Sequence, residues 1–325
     1  VVEEGGATIA ANHAAGTTGA PQGVRYPHRA ASANSLGENL TAGHGQDTVY
    51  LWTLPMFHCN GWCHPWAIVA CGGVQVCLRA VRDDAMWALI DEEGITHLNG
   101  APTVLSMLVN ASRAHQLERP LTVMTAAAPP SPTILAQTEA LGARVIHVYG
   151  LTETYGPYTV CQWPLDWADE EPAARARLLA RQGGAMVMAA PSRVVDAAGV
   201  PVPRDGVTMG EVVMSGNDVM KGYFRDPEAT AQAFRGDVFH SGDLGLWHPD
   251  GYIHLRDRPK AVIISGAAPI STTEVVPALA LHPPSPPAAV VRRASPLWRD
   301  LPTAFPSHAP PPHYALESHP LHRTA

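Results

Sequence analysis

The sequence predicts an α/β protein in which a doubly wound, mainly parallel sheet is followed by a small β-rich subdomain. Short apolar runs alternate with helical patterns through the first half of the chain, as buried parallel strands and their crossover helices do. From about Met186 the pattern changes to short β-like pieces broken by turns. Ligands of open α/β sheets collect at the carboxyl ends of the strands, so we expect the functional residues there.

The first half supplies the parallel sheet. One helical pattern ends at Gly94 and another begins with Pro102, and both residues are common at such helix termini. The predicted strands span residues 49–54, 74–78, 121–125 and 145–148. The predicted helices span residues 84–93, 102–114 and 131–141.

The second half is predicted to be β-rich. One helix interrupts its strands, with Asp226 as the N-cap and Pro227 in the first turn. The predicted strands span residues 192–195, 210–215, 245–247 and 251–255. We divide the chain into an α/β core (1–185), a β-rich subdomain (186–259) and a C-terminal part (260–325), whose Pro-rich tail is predicted to be disordered from about 282.

Composition excludes several classes of protein. The 325 residues include 22 basic and 29 acidic side chains, a net charge of −7, which argues against a nucleic-acid partner. No apolar stretch approaches the roughly 20 residues of a membrane span. Five cysteines without small-scaffold spacing fit a reducing compartment. Without a signal sequence or a peroxisomal ending, the default expectation is a cytoplasmic protein.

The segment 145–154 carries the strongest chemical signal. An apolar strand delivers Tyr149, whose ring can stack on a purine, and Gly150, which permits a sharp turn. Thr152 can donate to a phosphate oxygen, and Glu153 can hold a hard cation such as Mg²⁺. Taken alone, a strand that runs into an ordinarily capped helix explains the segment equally well.

Three further segments support a nucleotide site. The loop 16–23 contains Gly16, Thr17, Thr18, Gly19 and Gly23; it can cradle a polyphosphate, although it does not match the P-loop signature and a flexible turn is the alternative. Asp243 stands in a tight turn and can accept both hydroxyls of a ribose. Arg258 and Lys260 form a charged joint ahead of an apolar strand.

In this order and spacing, the four segments resemble the adenylate-forming superfamily of acyl-CoA synthetases, luciferases and peptide-synthetase adenylation domains. Residues 54–62 and 100–103 look like the short- and medium-chain fatty acyl-CoA ligase branch, which includes plant acyl-activating enzymes and bacterial methylmercaptopropionate-CoA ligases. The resemblance runs from about residue 11 to 275 and implies that 260–325 is the remnant of a mobile C-terminal α+β domain.

The resemblance implies ATP, Mg²⁺ and coenzyme A as cofactors and a small carboxylic acid as substrate. It implies catalytic roles for Thr152, Glu153 and the hinge residue Lys260, with Glu153 holding the metal. The implied nucleotide contacts are Gly16, Thr17, Thr18, Gly19, Gly23, Ala127, Ala128, Pro129, Tyr149, Gly150, Thr152, Asp243 and Arg258. The implied acyl pocket consists of His58, Trp62, Gly100 and Ala101. Family members are often dimers, so a homodimer is possible.

The chain also departs from the family pattern. Gln22 replaces the lysine of the glycine loop, no lysine follows Lys260, and alanine replaces glycine at 126 and 267. Losing one charge-stabilising group typically slows a reaction about 10²–10³-fold. The sequence therefore predicts a truncated ligase of weak or no activity. Two alternatives remain open, namely a non-catalytic module that binds a nucleotide or acyl ligand, and a gene fragment without a stable fold.

Overall fold

The computed structural model describes residues 4–14, 21–127, 132–162, 167, 170–257, 263–265, 268–270, 275, 288–295 and 299–306. The chain divides into two compact units, Val1–Leu255 and Arg256–Ala325. The boundaries that the sequence predicts at 185 and 259 stay predictions. None of the described helices is long and apolar enough to cross a membrane.

The secondary structure alternates as expected in the first half. The helices are α1 (His28–Ala42), α2 (Cys59–Trp62), α3 (His64–Cys71), α4 (Asp83–Glu93), α5 (Pro102–Asn110), α6 (Pro132–Ala140), α7 (Pro172–Leu179) and α8 (Pro227–Ala233). The strands are β1 (Thr8–Ala14), β2 (Gln22–Pro27), β3 (Val49–Trp52), β4 (Val74–Cys77), β5 (His97–Gly100), β6 (Leu121–Thr125), β7 (Ala143–Leu151), β8 (Gly156–Cys161), β9 (Gly184–Ala185), β10 (Arg193–Val195), β11 (Met209–Met214), β12 (Gly222–Tyr223), β13 (Phe239–Trp247), β14 (Ile253–Asp257), β15 (Ile263–Ser265), β16 (Ala268–Ile270), β17 (Ala288–Ser295) and β18 (Arg299–Pro306).

The central sheet has seven strands in the order β4-β3-β5-β6-β7-β8-β9. The pairs from β4 to β7 are parallel, and β8 and β9 add antiparallel strands at one edge. Because the order reverses at β3, right-handed crossovers place the connecting helices on both faces of the sheet. The predicted mixed α/β fold with a mainly parallel sheet is confirmed.

Smaller antiparallel sheets accompany it. Strands β1, β2 and β12 form one, and β10, β11, β13 and β14 form another. The predicted capping of α8 is confirmed, because the Asp226 carboxylate accepts a hydrogen bond from Ala229 N at 2.9 Å. The hairpin β1-β2 and the helix α1 were not predicted. Nine residues of α1 are buried, including Asn34, Gly37 and Glu38, so this helix lacks the polar face that a periodicity search requires.

The second unit contains a four-stranded antiparallel sheet in the order β16-β15-β18-β17. Strands β17 and β18 pair over eight residues, from Ala288 opposite Pro306 to Ser295 opposite Arg299. The structure thus differs from the expectation of disorder beyond residue 282, at least over these two strands. Apolar residues at Val290 and Val291 support strand formation locally, a signal that the proline content obscures. Residues 307–325 lie outside the described part of the chain.

Candidate functional site

The carboxyl ends of the parallel strands bring the candidate residues together. His58 follows β3, Gly100 closes β5, Ala127 follows β6, and Tyr149 lies near the end of β7. Strands β3 and β5 are neighbours on either side of the point where the strand order reverses. A crevice at this position is where open α/β sheets bind their ligands.

Tyr149 and Asp243 meet across the two main sheets of the first unit. The Tyr149 hydroxyl donates a hydrogen bond to Asp243 Oδ2 at 2.7 Å, although the residues lie 94 positions apart. Both side chains are buried. Asp243 is also held by its backbone, since its N–H donates to Ser241 Oγ at 3.1 Å. The β13 strand thus presents its carboxylate to the end of β7.

The turn after Tyr149 is fixed by close backbone packing. A β-bulge separates Tyr149 from Gly150 in the pairing of β7 with β8. Any side chain at Gly150 would collide with the carbonyl oxygen of Gly156, which explains the glycine. The chain then forms a short 3₁₀ turn over Thr152–Thr154. Inside it, the Leu151 N–H donates to Thr154 Oγ1 at 2.9 Å.

Glu153 is held on both its side chain and its backbone. Its Oε1 accepts a hydrogen bond from the Tyr223 hydroxyl at 2.9 Å, and its carbonyl oxygen accepts one from Met220 N at 2.7 Å. The side chain is only partly buried. Tyr223 therefore orients a carboxylate that solvent can still reach.

The donor set of this turn fits Mg²⁺. The ion is bound in proteins by one or two carboxylates, with substrate phosphates completing its shell, rather than by an all-protein cage. Glu153 offers such a carboxylate and Thr152 a neighbouring hydroxyl. In the described residues no group of three or more His, Cys, Asp or Glu side chains could hold a metal. The oxygen atoms of Thr152 and Glu153 therefore suit a metal ion whose remaining ligands are phosphate oxygens.

Thr152 is contacted from two sides. The Tyr26 hydroxyl donates to the Thr152 carbonyl oxygen at 2.6 Å, and Cys59 Sγ lies 3.9 Å from Thr152 Oγ1. Burial raises the pKa of the Cys59 thiol to about 11, which favours the protonated and less nucleophilic form at neutral pH. Tyr155 completes the cluster by stacking on Tyr26, with ring centroids 3.8 Å apart.

The predicted acyl segment has an uncommon backbone. Residues 59–63, which include α2, all have positive φ, from 44° at Cys59 to 60° at Cys63. A left-handed conformation costs an L-residue other than glycine roughly 1–2 kcal/mol. At Gly61 any side chain would lie 2.6 Å from the Trp52 ring. Such strain persists only where packing enforces it, and it is typical of functional sites.

The acyl candidates occupy different environments. Trp62 is buried, and its Cα lies against Gly156, where an added Cβ would come within 2.9 Å of it. His58 is exposed beside the exposed Phe57 ring. Gly100 allows α5 to begin directly above it, because an added Cβ would lie 2.6 Å from Val104 Cγ2. Trp62 thus packs the predicted acyl segment against the 152–156 turn, whereas His58 lies on the protein surface.

Part of the predicted site lies outside the described residues. This applies to Gly16, Thr17, Thr18, Gly19, Ala128, Pro129, Arg258 and Lys260, and it also applies to Ala267. Gly23 is described, and its carbonyl oxygen accepts a hydrogen bond from Phe224 N at 2.6 Å. Ala127 has a φ of 79°. The left-handed backbone in this segment therefore falls on Ala127. The position at which the sequence has alanine in place of the family's glycine is its neighbour, Ala126.

Sequence reasoning did not identify three tyrosines of this site. Tyr223 contacts Glu153, Tyr26 contacts Thr152, and Tyr155 stacks on Tyr26. Tyr223 lies 70 positions from Glu153 and Tyr26 lies 126 positions from Thr152. No local spacing in the sequence signals contacts over such distances, and only the packing of β2 and β12 beside the turn creates them.

Comparison with known proteins agrees with this arrangement. The chain is 45% identical over 302 residues to an acetate–CoA ligase (CCL3) of Humulus lupulus. The aligned region covers 92% of this chain and 53% of the relative. Identity and coverage are the same for the peroxisomal acetate/butyrate–CoA ligase AAE7 of Arabidopsis thaliana. The chain spans about half the length of the relatives it matches.

Comparison with solved structures supports the same fold. The crystal structure of ATP-bound MatB from Rhodopseudomonas palustris superposes with a TM-score of 0.81 at 26% identity, covering 94% of this chain and 58% of that chain. A family model for the AMP-binding enzymes matches residues 7–224, which contain the parallel sheet and the Tyr149–Glu153 turn. The chain belongs to the AMP-binding enzyme family.

Proposed function

We propose that this chain carries the nucleotide and acyl sites of a carboxylate–CoA ligase. ATP and a small carboxylic acid, of the acetate to butyrate class named for its relatives, would meet at the carboxyl edge of the parallel sheet. The supporting observation is that Tyr149, Thr152 and Glu153 converge with Asp243 at this edge, where the Tyr149 hydroxyl and the Asp243 carboxylate are 2.7 Å apart.

The proposed roles follow from the chemistry of each group. Tyr149 would stack on adenine and Asp243 would accept the ribose hydroxyls. The Thr152 hydroxyl would donate to the α-phosphate. Glu153, oriented by Tyr223, would hold Mg²⁺, which when bound neutralises the phosphate charge. Together these groups would stabilise the negative charge on the phosphates while the carboxylate attacks the α-phosphorus and pyrophosphate is released.

The remaining predicted residues complete the proposal. Gly16, Thr17, Thr18 and Gly19 would contact the leaving phosphates, while Arg258 would contact the ribose and Lys260 would act as a hinge. Trp62, Gly100 and Ala101 would line the acyl pocket, with His58 at its mouth. Coenzyme A would capture the acyl-adenylate. A cytoplasmic location, a homodimer and the three-part domain division are further predictions.

A second candidate function is nucleotide or acyl binding without turnover. It is favoured by the scarcity of ammonium groups, because the 325 residues contain two lysines, Lys221 and Lys260. At the end of the glycine loop the neutral Gln22 amide donates to Asp226 Oδ2 at 3.4 Å. No cation stands at that position to meet a leaving pyrophosphate, so we infer that adenylation by this chain is slow.

Two measurements separate the candidates. Calorimetry with ATP and Mg²⁺ tests binding, and pyrophosphate release in the presence of acetate or butyrate tests turnover, each with Glu153→Ala as the matched variant. A ligase releases pyrophosphate faster than the variant does. Binding with equal rates in both proteins supports the binding module. Absence of binding by a chain that unfolds cooperatively would refute both candidates.

A further inference from the structure

A groove of about 770 Å³ opens beside the strands β2 and β12 and is closed on one side by α8. Four cationic residues line it, Arg25, Arg29, Lys221 and Arg225. Asp226 is the acidic residue among the described lining residues. In a chain of net charge −7, this concentration of positive charge creates a local field that attracts anions.

The β-ladder brings the backbones of two of these residues together, while the Lys221 ammonium donates a hydrogen bond to the Gly6 carbonyl oxygen at 2.9 Å. Arg25 pairs with Gly222, and the adjacent Lys221 N–H donates to the Arg25 carbonyl oxygen at 2.8 Å. A side chain at Gly222 would lie 2.7 Å from Thr230 Cγ2 on α8. The glycine therefore keeps the space between Arg25 and α8 open.

The positive charge of the groove is not neutralised by neighbouring carboxylates. Among the described residues no carboxylate oxygen lies within ion-pair distance of any of the four cations. Arg25 Nε is buried and has no hydrogen-bond partner there. Asp226 is already engaged, since its two oxygens accept hydrogen bonds from Ala229 N and from the Gln22 amide. A buried donor without a partner is costly, and an anion in the groove would offer it an acceptor.

The groove shares a wall with the 152–153 turn. Tyr223 lines the groove and donates its hydroxyl hydrogen bond to Glu153. Met220 also lines it and donates its backbone N–H to the Glu153 carbonyl oxygen. The Arg225 guanidinium lies 5.0 Å from the centre of the exposed Phe224 ring, which holds this cation at the groove surface.

We propose that the groove is a separate binding site for a small, multiply charged phosphate anion, with inorganic pyrophosphate as its simplest ligand. Guanidinium groups match phosphate oxygens in a bidentate geometry. The positive charge is confined to one groove, whereas nucleic acids bind along extended basic surfaces. The site goes beyond the proposed nucleotide site, because its four cations include none of the residues assigned to ATP.

The test is calorimetric titration of the full chain with pyrophosphate in a metal-free buffer containing EDTA. Arg29 and Arg225 are exposed, so Arg29→Gln/Arg225→Gln should fold, and we expect at least about tenfold weaker binding. Arg82→Gln/Arg113→Gln removes two exposed arginines elsewhere and should leave the affinity unchanged within about twofold. Arg25→Gln tests the buried donor by itself and should weaken binding as well.

Separate titration with ATP and Mg²⁺ distinguishes this site from the proposed nucleotide site. The inference is supported if Arg29→Gln/Arg225→Gln weakens pyrophosphate binding while Thr17→Ala/Thr18→Ala does not. It is overturned if only the threonine variant weakens that binding, if pyrophosphate does not bind, or if a short RNA binds more tightly than pyrophosphate. Failure of ATP binding alone would count against the proposed function and not against the groove.

Discussion

Two pairs of carboxylates in this chain have opposite environments. At the carboxyl edge of the sheet, Glu153 and Asp243 each accept a hydrogen bond from a tyrosine hydroxyl. In the interior, Glu38 on α1 and Asp218 ahead of β12 are fully buried, and their oxygens have no hydrogen-bond partner among the described residues. The same functional group is therefore oriented in one region and only desolvated in the other.

The two pairs of carboxylates therefore differ in their effect on the stability of the fold. Burial raises the pKa of Glu38, and the neighbouring Asp218 adds to this effect. Burial also raises the pKa of Asp218 to about 7. Carboxyl groups without donors are most stable when protonated, so the interior pair weakens the fold once both ionise. The edge pair has donors that hold its oxygens for a ligand.

The largest expected effect concerns the edge pair. Glu153→Gln keeps the size and the Tyr223 contact but removes the charge, so we expect pyrophosphate release to slow by about 10²–10³-fold. Stopped assays with saturating ATP and Mg²⁺ measure this. Tyr223→Phe keeps the charge and should lose far less. Equal losses in the two variants would mean that orientation matters more than charge at Glu153.

The interior pair should control stability at neutral pH. In the unfolded chain both groups ionise near pH 4, whereas the folded chain keeps Asp218 protonated to about pH 7. The contribution of this pair to the free energy of unfolding should therefore fall as the pH rises from about 4 to 7, by on the order of 4 kcal/mol for Asp218 alone. Urea unfolding of Glu38→Gln/Asp218→Asn should lack this fall, so the stability of the variant relative to the unmodified chain should increase across this pH range. An unchanged slope in this variant would contradict the assignment.

Three histidines, the buried His64 and His147 and the partly buried His44, should make a contribution of opposite slope in acid. Burial lowers the pKa of His64 and of His147 to about 4 and that of His44 to about 2. The unfolded chain takes up protons below about pH 6.5, so stability is lost as the pH falls from there toward 4. His64→Asn should reduce this loss by roughly 3 kcal/mol. An equal change in the exposed His115→Asn would contradict the assignment of this loss to the burial of His64.

The smallest expected effect is at the second edge carboxylate. Tyr149→Phe removes the hydroxyl that donates to Asp243 but keeps the ring, so the proposed stacking on adenine survives. One such hydrogen bond contributes about 1–3 kcal/mol to the stability of the fold, but the hydroxyl is assigned no contact with ATP, so we expect ATP affinity to fall by less than about tenfold. Calorimetry measures it, with Tyr252→Phe as the control. A complete loss of binding would show that the hydroxyl, and not the ring, dominates.

The sequence determined much of this protein by itself. Apolar runs at residues 49–54, 74–78 and 121–125 predicted the parallel strands because strands buried on both faces need continuous apolar side chains. Asp226 and Pro227 predicted the start of α8 because capping depends on neighbouring residues only. The motif 149–153 indicated the family, since its chemistry is carried by adjacent residues.

Only the tertiary structure decided what surrounds these motifs. The partners of Glu153 and Thr152 come from β12 and β2, and Asp243 reaches Tyr149 from another sheet. The left-handed backbone at residues 59–63 and the buried α1 helix depend on packing that no local pattern records. The reason is physical: propensity and capping act over a few residues, whereas burial and hydrogen-bond satisfaction depend on groups that the fold brings together from distant parts of the chain.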